Sequence, residues 1–288
     1  VLKLPGLTIA QMMNMAIREA SSDIIACCHG GTIIPEDWSS NLLLPFQVDP
    51  GIEVAAGAWQ PGGTTVFERW VASTMIWRMS MPDPETYLPA SRSLAVRRTA
   101  WEKAGGFPEW LPKFGEDTLF AIRLRAAGCR WKNVPSACVV WRPKGTFKGL
   151  FRQEMLYNEA NTILGLRRFH LMLFTRPWIV LLLSAVPAIL CKQLWLGGMT
   201  LAGLFLVDWL RLRFSGKPAS ISGCLLWFWG LTLAEQIGWL RGKSYVFTGR
   251  AVMPESDRRA VAAYIQLCKS ESKEKARFVG SVGIENPK

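Results

Sequence analysis

Three uncharged apolar stretches in the C-terminal half constrain this chain more than any other feature. They are Pro177–Cys191, Gln193–Val207 and Pro218–Ala234, of 15, 15 and 17 residues. A helix that spans a bilayer needs ~20 residues, with a range of ~17–25, so each stretch is short for a full span. Flanking basic side chains can reach the membrane interface; they are Arg176, Lys192, Arg211 and Arg213. The pattern predicts membrane-embedded helices within residues 166–242, with buried helices of a globular domain as the alternative.

The basic residues around these stretches indicate how the chain is oriented. The segment RLRFSGK (Arg211–Lys217) is typical of a cytoplasmic loop. The chain after Leu240 is also basic, so both segments belong on the cytoplasmic side. The first two stretches would then span as a hairpin, and the third would be spanning or interfacial. Glu235 near its end favours the interfacial alternative, since a carboxylate at depth is costly. We therefore predict an inner (cytoplasmic) membrane protein.

The charge balance excludes some function classes. The chain has 34 Lys+Arg against 22 Asp+Glu, a formal net charge of +12. The basic residues lie beside apolar segments, where anionic lipid headgroups account for them, and no nucleic-acid-binding motif is present. The expected partner is thus the lipid bilayer and not a nucleic acid. Seven scattered cysteines without a C-x-x-C pair exclude a disulfide scaffold and favour a reducing compartment.

Residues 1–165 alternate between strand and helix patterns, which predicts an α/β domain with a mostly parallel sheet and flanking helices. Residues 243–288 are expected to form a basic polar tail. The predicted helices are Leu7–Ala20, Pro35–Leu44, Phe67–Ser80, Arg98–Ala104, Asp117–Ala127 and Thr146–Leu164, and the predicted strands are Asp23–Cys28, Ile52–Ala56, Leu94–Val96, Trp131–Pro135 and Ala137–Trp141.

Three stretches carry motifs in a recognisable order. They are NMAIREASSDIIACCHGGTIIPEDW (14–38), LPASRSLAVRRTAWEKAGGFPEWLPKFGEDTLFAIRLRAAG (88–128) and ACVVWRPKGTFKGLFRQEMLY (137–157). Over residues 8–165 the chain resembles the membrane-associated family-2 glycosyltransferases. The resemblance implies a partial GT-A-like (Rossmann-like) fold. It also implies, if the protein is active, a divalent metal and a nucleotide-sugar donor.

The resemblance places His29-Gly30-Gly31 where the family has its Asp-x-Asp metal loop. Magnesium and manganese prefer carboxylate and water ligands, and both carboxylates are missing here. We therefore expect no metal and no cofactor as the sequence stands. His29 either ends the strand at the sheet edge or, as the alternative, binds a softer metal.

Glu116-Asp117 matches the acidic pair of the family, which implies that Asp117 takes the proton of the acceptor hydroxyl. Asp117 also stands where a carboxylate caps a helix, and this reading stays open.

Further candidates follow from the resemblance. The acceptor-site candidates are Gly105, Gly106, Phe107 and Gln153, and the diphosphate candidates are Arg92, Arg97 and Arg98. The glycines could equally be only a helix stop, and the arginines a solvated basic face. Leu156 and Tyr157 replace the Arg-Trp of processive relatives, which argues against a polymerising site. Asn14 matches a family residue but is expected to be only a surface side chain.

The opening strands of the family, which hold the nucleotide, have no counterpart before the first predicted helix. Either this sequence omits these strands or the protein lacks them; in the second case the domain is N-terminally truncated, with a sheet edge that a partner subunit would cover. Two functions remain. The first, which the sequence favours, is a catalytically degenerate accessory subunit of a membrane protein complex. The alternative is an active inverting glycosyltransferase that moves sugar to a lipid or glycan acceptor at the cytoplasmic face.

Overall fold

The computed structural model describes residues 6–75, 87–166 and 231–281, with isolated positions between 189 and 210. Up to residue 163 its strands and helices follow the predicted alternation, except that the short strand Thr32–Ile33 was not predicted and that the two strands predicted over 131–141 form one. In chain order they are α1 (Ile9–Glu19), β1 (Ile24–Cys27), β2 (Thr32–Ile33), α2 (Trp38–Val48), β3 (Val54–Pro61), α3 (Val66–Met75), β4 (Leu94–Arg97), α4 (Arg98–Lys103), α5 (Glu116–Ala126), β5 (Trp131–Trp141), α6 (Phe147–Ile163), α7 (Thr232–Phe247) and α8 (Glu255–Ser281).

The five strands form one mixed sheet in the order β1-β4-β3-β5-β2. Only β3 and β5 pair in parallel, and the other three pairs are antiparallel. The prediction of a mostly parallel sheet is therefore wrong for the described strands. A parallel partner requires the chain to return to the opposite edge. After β3 the chain instead re-enters the sheet at Leu94 from the edge where β3 ends, so β4 runs back antiparallel.

Helices cover both faces of the sheet. On one face, α1, α4 and α5 pack against Val54 and Val96, while on the other α2 packs against Ala55 and Ala95. Neighbouring residues of a strand point to opposite faces, so this alternation is what a doubly covered sheet requires. Burial on both sides fixes the strand register and hence the position of every residue at the strand ends.

Helix α7 packs closely along α6 at two glycines. A Cβ atom at Gly238 would collide with the Met155 carbonyl oxygen, and one at Gly242 would lie 2.7 Å from the Glu159 carbonyl oxygen. Arg241 of α7 pairs with the buried Glu159, Nε to Oε2, at 2.6 Å. The two small residues thus bring the helix backbones into contact, and the ion pair fixes their register.

The C-terminal part of the chain differs from the predicted division at residue 242. Helix α8 packs on α5, and its Val261 is buried with Leu119 and Ile122 in one apolar cluster. Several residues between 245 and 265 therefore complete the core of the domain, in a part of the chain that was expected to form a basic polar tail. These apolar residues of α8 were missed in the sequence analysis because charged residues surround them in the sequence.

The predicted membrane segments lie mostly outside the described residues. The end of the third stretch is described: Leu231 packs with Val71 and Leu150, and Ala234 is buried on α7. Glu235 lies in the first turn of α7 and is buried there. Among the residues that the structure describes, no helix combines the length and the apolar character needed to cross a bilayer.

Candidate functional site

The ends of several strands meet at one edge of the sheet. Leu94 at the start of β4 pairs with Cys27 at the end of β1 and with Ala56 of β3. The loop after β1 and the loop before β4 therefore lie side by side. Here His29 Nε2 and Ser91 Oγ are hydrogen-bonded at 2.6 Å. The edge is the one at which β1, β3 and β5 all end, where α/β sheets commonly bind ligands.

Arg92 lies at this edge in an aromatic enclosure. Its guanidinium carbon is 4.8 Å from the ring centre of Trp59 and 4.7 Å from that of Trp141. Trp59 lies near the end of β3, and Trp141 is the last residue of β5. Arg92 Nη2 donates a hydrogen bond to the Tyr157 hydroxyl at 3.1 Å. Arg92 Nε is buried and has no hydrogen-bond partner, so one donor of this fixed cation is unused.

The acidic pair begins α5. Gly115 is the N-cap residue, and its φ of 88° favours glycine; a Cβ there would also be tight, 3.1 Å from that of Ala160. Asp117 is the second residue of the helix and accepts a hydrogen bond from the Thr118 backbone at 2.7 Å. Asp117 is thus not the N-cap residue itself, but its carboxylate binds a backbone N–H of the first turn, where its charge is also favourable.

Glu116 is only 4% exposed, and its Oε2 has no hydrogen-bond partner. Burial, and after it the charge of Asp117, raises the pKa of Glu116 to about 7. A carboxylate that cannot be hydrogen-bonded is costly to bury, so the proton stays on Glu116 close to neutral pH. A strongly perturbed carboxyl beside a second carboxyl is characteristic of functional sites.

Electrostatic coupling joins these groups into one site. Burial lowers the pKa of His29, the charge of Asp117 opposes this, and the charge of Arg92 adds to it. Burial raises the pKa of Tyr157, and Arg92 opposes it. Gln153 lies one helical turn before Tyr157 and is buried with its Nε2 unpartnered. The structure thus brings together His29, Arg92, Glu116 and Asp117, with Gln153 on the helix that carries Tyr157.

Arg97 and Arg98, predicted together with Arg92, lie at the opposite edge of the sheet. Arg97 Nε donates to the Ile52 carbonyl at 2.9 Å, and its guanidinium lies over the Phe46 ring. Arg98 donates hydrogen bonds to the backbone carbonyls of Ile17, Ala20 and Ser22, at and just after the end of α1. Both arginines bind backbone at the far end of β4, so the prediction that they contact a diphosphate at this site is wrong.

The turn Gly105-Gly106-Phe107, predicted to contact an acceptor, is instead bound by other parts of the domain. Asn14 of α1 donates to the Phe107 carbonyl and accepts from the Phe107 backbone N–H, both at 2.8 Å. Its Oδ1 also accepts from the Trp101 indole at 3.0 Å. Asn14 is 3% exposed, so the expectation of a surface residue is wrong. Its partners lie far away in sequence, and no local pattern could have identified them.

Phe107 itself is buried and stacks on Phe120 of α5, with ring centres 4.1 Å apart. Its side chain is therefore not available to an acceptor. The turn instead holds α5, and with it the acidic pair, in place.

The residues present do not fit a divalent metal. Gly30 and Gly31 offer no side-chain ligand, Gly31 has φ of 85°, and His29 Nε2 is engaged with Ser91. In the described ranges, no three His, Cys, Asp or Glu side chains are grouped so that they could hold a metal ion. A hard cation would thus find too few oxygen ligands here.

Comparison with known proteins agrees with the motif order. The model of glycosyl transferase family group 2 matches residues 46–239, so the chain belongs to this family. This confirms the family predicted from the sequence motifs.

The comparison with solved structures includes a mannosyltransferase, PcManGT, from Pyrobaculum calidifontis, in complex with GDP-Man and Mn²⁺. It is 18% identical, with a TM-score of 0.39, and the match covers 88% of this chain and 65% of that one. This chain thus spans less than two thirds of that protein. The comparison with curated proteins found no match.

Proposed function

We propose that this chain carries a site for inverting glycosyl transfer in which Arg92, and not a divalent cation, neutralises the diphosphate of a nucleotide-sugar donor. The proposal rests on one observation: Arg92, whose guanidinium lies between Trp59 and Trp141, is grouped with the Glu116-Asp117 pair at one edge of the sheet. The sequence favoured a degenerate subunit because both loop carboxylates are lost. The cation beside the acidic pair reverses that preference.

Arg92 is suited to bind a phosphate group. Trp59 and Trp141 enclose its guanidinium, and the Tyr157 hydroxyl accepts from Nη2. The side chain is therefore ordered before a ligand arrives, which reduces the entropy lost on binding. A guanidinium forms charge-assisted hydrogen bonds to phosphate oxygens, and its effect is stronger away from bulk water.

Asp117 is suited to act as the general base. In the reaction, the acceptor oxygen attacks the anomeric carbon, and the bond from that carbon to the phosphate oxygen breaks. The nucleoside diphosphate leaves with the electron pair, and Asp117 takes the proton of the acceptor hydroxyl. Arg92 stabilises the charge that develops on the leaving group. A direct displacement of this kind inverts the anomeric centre.

Glu116 contributes a proton-dependent charge. With a pKa of about 7, it is largely neutral below that pH and does not repel an anionic donor. Above it, Glu116 ionises beside Asp117, and the negative charge of the site increases. Donor affinity is therefore expected to fall as the pH rises through about 7.

The test is release of nucleoside diphosphate from uridine and guanosine diphosphate sugars by the full chain in native membranes, with EDTA present. Asp117→Asn should abolish release while the donor still binds, and Glu102→Gln, at an exposed position of α4, should behave as wild type. Absence of release and of binding for every donor, with or without Mn²⁺, would overturn the proposal.

The proposed place of action is the cytoplasmic face of the inner membrane, on a lipid or glycan acceptor. The apolar stretches of residues 177–234 and the basic segments around them support this. Extraction of membranes at high pH tests whether the chain is embedded in the membrane. The chain should stay in the membrane fraction, and quantitative release would contradict the proposed membrane location.

The second candidate is a degenerate accessory subunit bound to other membrane protein subunits. The missing loop carboxylates at His29 and Gly31 favour it. It predicts stoichiometric partner chains after gentle detergent extraction and no nucleotide binding, whereas the enzyme binds nucleotide sugars without partners.

A further inference from the structure

A cavity of about 490 Å³ lies away from the strand edge, where the ends of α6 and α7 meet the start of α8. It falls within the range of ~300–1,000 Å³ typical of ligand pockets. Most of its lining is apolar and includes Ile163, Leu164, Val246, Val261 and Ile265. Two cations, Lys243 of α7 and Arg258 of α8, also line it. An apolar cavity with a cationic border fits an amphiphile with an anionic headgroup.

Large apolar side chains are exposed on the surface around this cavity. Phe247 is 92% exposed and Val252 is 70% exposed, and Val246 links the cavity lining to this patch. Such side chains beside cations are typical of segments that lie in the interface of an anionic bilayer. The patch and the cavity are thus parts of one surface.

The cavity lining is also close in sequence to the first apolar stretch. Gly165 lines the cavity at the end of α6, and the uncharged stretch Pro177–Cys191 follows about twelve residues later. In sequence, the cavity lining is therefore close to the stretch that the sequence analysis assigns to the membrane.

We propose that this cavity binds one acyl chain of an anionic phospholipid and that Lys243 and Arg258 bind its phosphate. Arg258 also contacts Glu255, Nη1 to Oε2, at 3.2 Å, but both side chains are more than half exposed. An exposed pair of this kind is weak, and Glu255 keeps a second partner in Arg259. Arg258 can therefore exchange its carboxylate partner for a phosphate. This site does not depend on glycosyl transfer.

The test counts the lipids that remain bound to the full chain in detergent, by native mass spectrometry, during titration with phosphatidylglycerol or phosphatidylcholine. Ala262→Trp fills the cavity, because Ala262 is an exposed residue of its lining. Ala263→Trp is the matched control, since Ala263 is exposed on the same helix and does not line the cavity. One phosphatidylglycerol should be lost from Ala262→Trp and retained by Ala263→Trp.

Charge reversal tests the headgroup independently of the cavity. The double variant Lys243→Glu/Arg258→Glu should weaken phosphatidylglycerol binding about tenfold or more, whereas Arg250→Glu, an exposed charge outside the lining, should not. Inorganic phosphate should not displace the lipid. Equal retention by the two Trp variants, equal binding of phosphatidylcholine, or displacement by phosphate alone would each overturn the proposal.

Discussion

Arg123 of α5 and Asp257 of α8 form a bidentate ion pair, with Nε–Oδ1 at 2.6 Å and Nη2–Oδ2 at 2.7 Å. Asp257 is 2% exposed and also accepts a hydrogen bond from the Trp110 indole. Arg123 Nη1 donates to the Gly106 carbonyl at 2.8 Å. The pair therefore fixes the C-terminal helix to the turn that supports α5, the helix that begins with the acidic pair.

Asp257→Ala should destabilise the domain strongly. It leaves the Arg123 guanidinium, whose side chain is 15% exposed, without its partner. Removal of one member of a buried pair typically costs ~3–5 kcal/mol. Urea unfolding followed by circular dichroism measures the loss. The control is Glu255→Ala, two residues earlier in the same helix. Glu255 is exposed, so its loss should cost about 1 kcal/mol or less. Equal losses for both variants would contradict the role given to Asp257.

Asn14→Ala should also destabilise the domain, because it leaves the Phe107 N–H and the Trp101 indole buried without acceptors. Each unsatisfied buried group costs ~1–3 kcal/mol, so for the two groups we expect a loss of about 2–6 kcal/mol in the free energy of unfolding. Asn41→Ala is the control: Asn41 is partly buried on α2 and its hydrogen bond to Asp37 is exposed, so the change should stay within ~0.5 kcal/mol. A neutral Asn14→Ala would show that the turn does not need this clamp.

Glu116→Gln should remove a pH dependence of stability. The pKa of Glu116 in the folded chain, about 7, lies above the ordinary glutamate value of 4.5. The folded state therefore binds more protons than the unfolded state between these values, and the free energy of unfolding falls as the pH rises from 4.5 to about 7. The Gln variant should be more stable than wild type at pH 8, by up to ~3 kcal/mol, with the difference shrinking towards pH 4.5.

Unfolding of both forms at pH 5 and pH 8 measures this effect. Glu102→Gln, at an exposed position, should leave the wild-type pH dependence unchanged. An identical pH dependence in wild type and Glu116→Gln would contradict the raised pKa.

Gly238→Ala should weaken the contact between α6 and α7. The added methyl group would collide with the Met155 backbone, which cannot move as a side-chain end can. Overpacking of this kind costs ~1–3 kcal/mol, measured as a lower unfolding temperature or midpoint. Gly30→Ala is the comparison, since a Cβ there meets nothing within 4 Å. A Gly238→Ala variant as stable as Gly30→Ala would contradict the close helix contact.

The sequence predicted the family and most of the helices and strands up to α6, because both depend on local patterns and on motif spacing, but it predicted neither β2 nor α8. It did not predict the direction of β4, which is set by the edge at which the chain re-enters the sheet. It grouped Arg92 with Arg97 and Arg98, yet Arg92 precedes β4 and Arg97 ends it, so this four-residue strand places them at opposite edges. The clamp of Asn14 on Phe107 and the pair Arg123–Asp257 join residues far apart in sequence, and no local pattern encodes them.

The most direct test of the central claim is a calorimetric titration of the full chain with UDP and with GDP in the presence of EDTA. Wild type should bind one of them without metal, and Arg92→Gln should lose about tenfold or more in affinity, since a charge-assisted hydrogen bond contributes ~1.5–3 kcal/mol. Arg152→Gln removes an equal charge from an exposed position of α6 and should bind as wild type. Binding that requires Mn²⁺, or equal affinity in Arg92→Gln and wild type, would contradict the proposal that Arg92 takes the place of the metal.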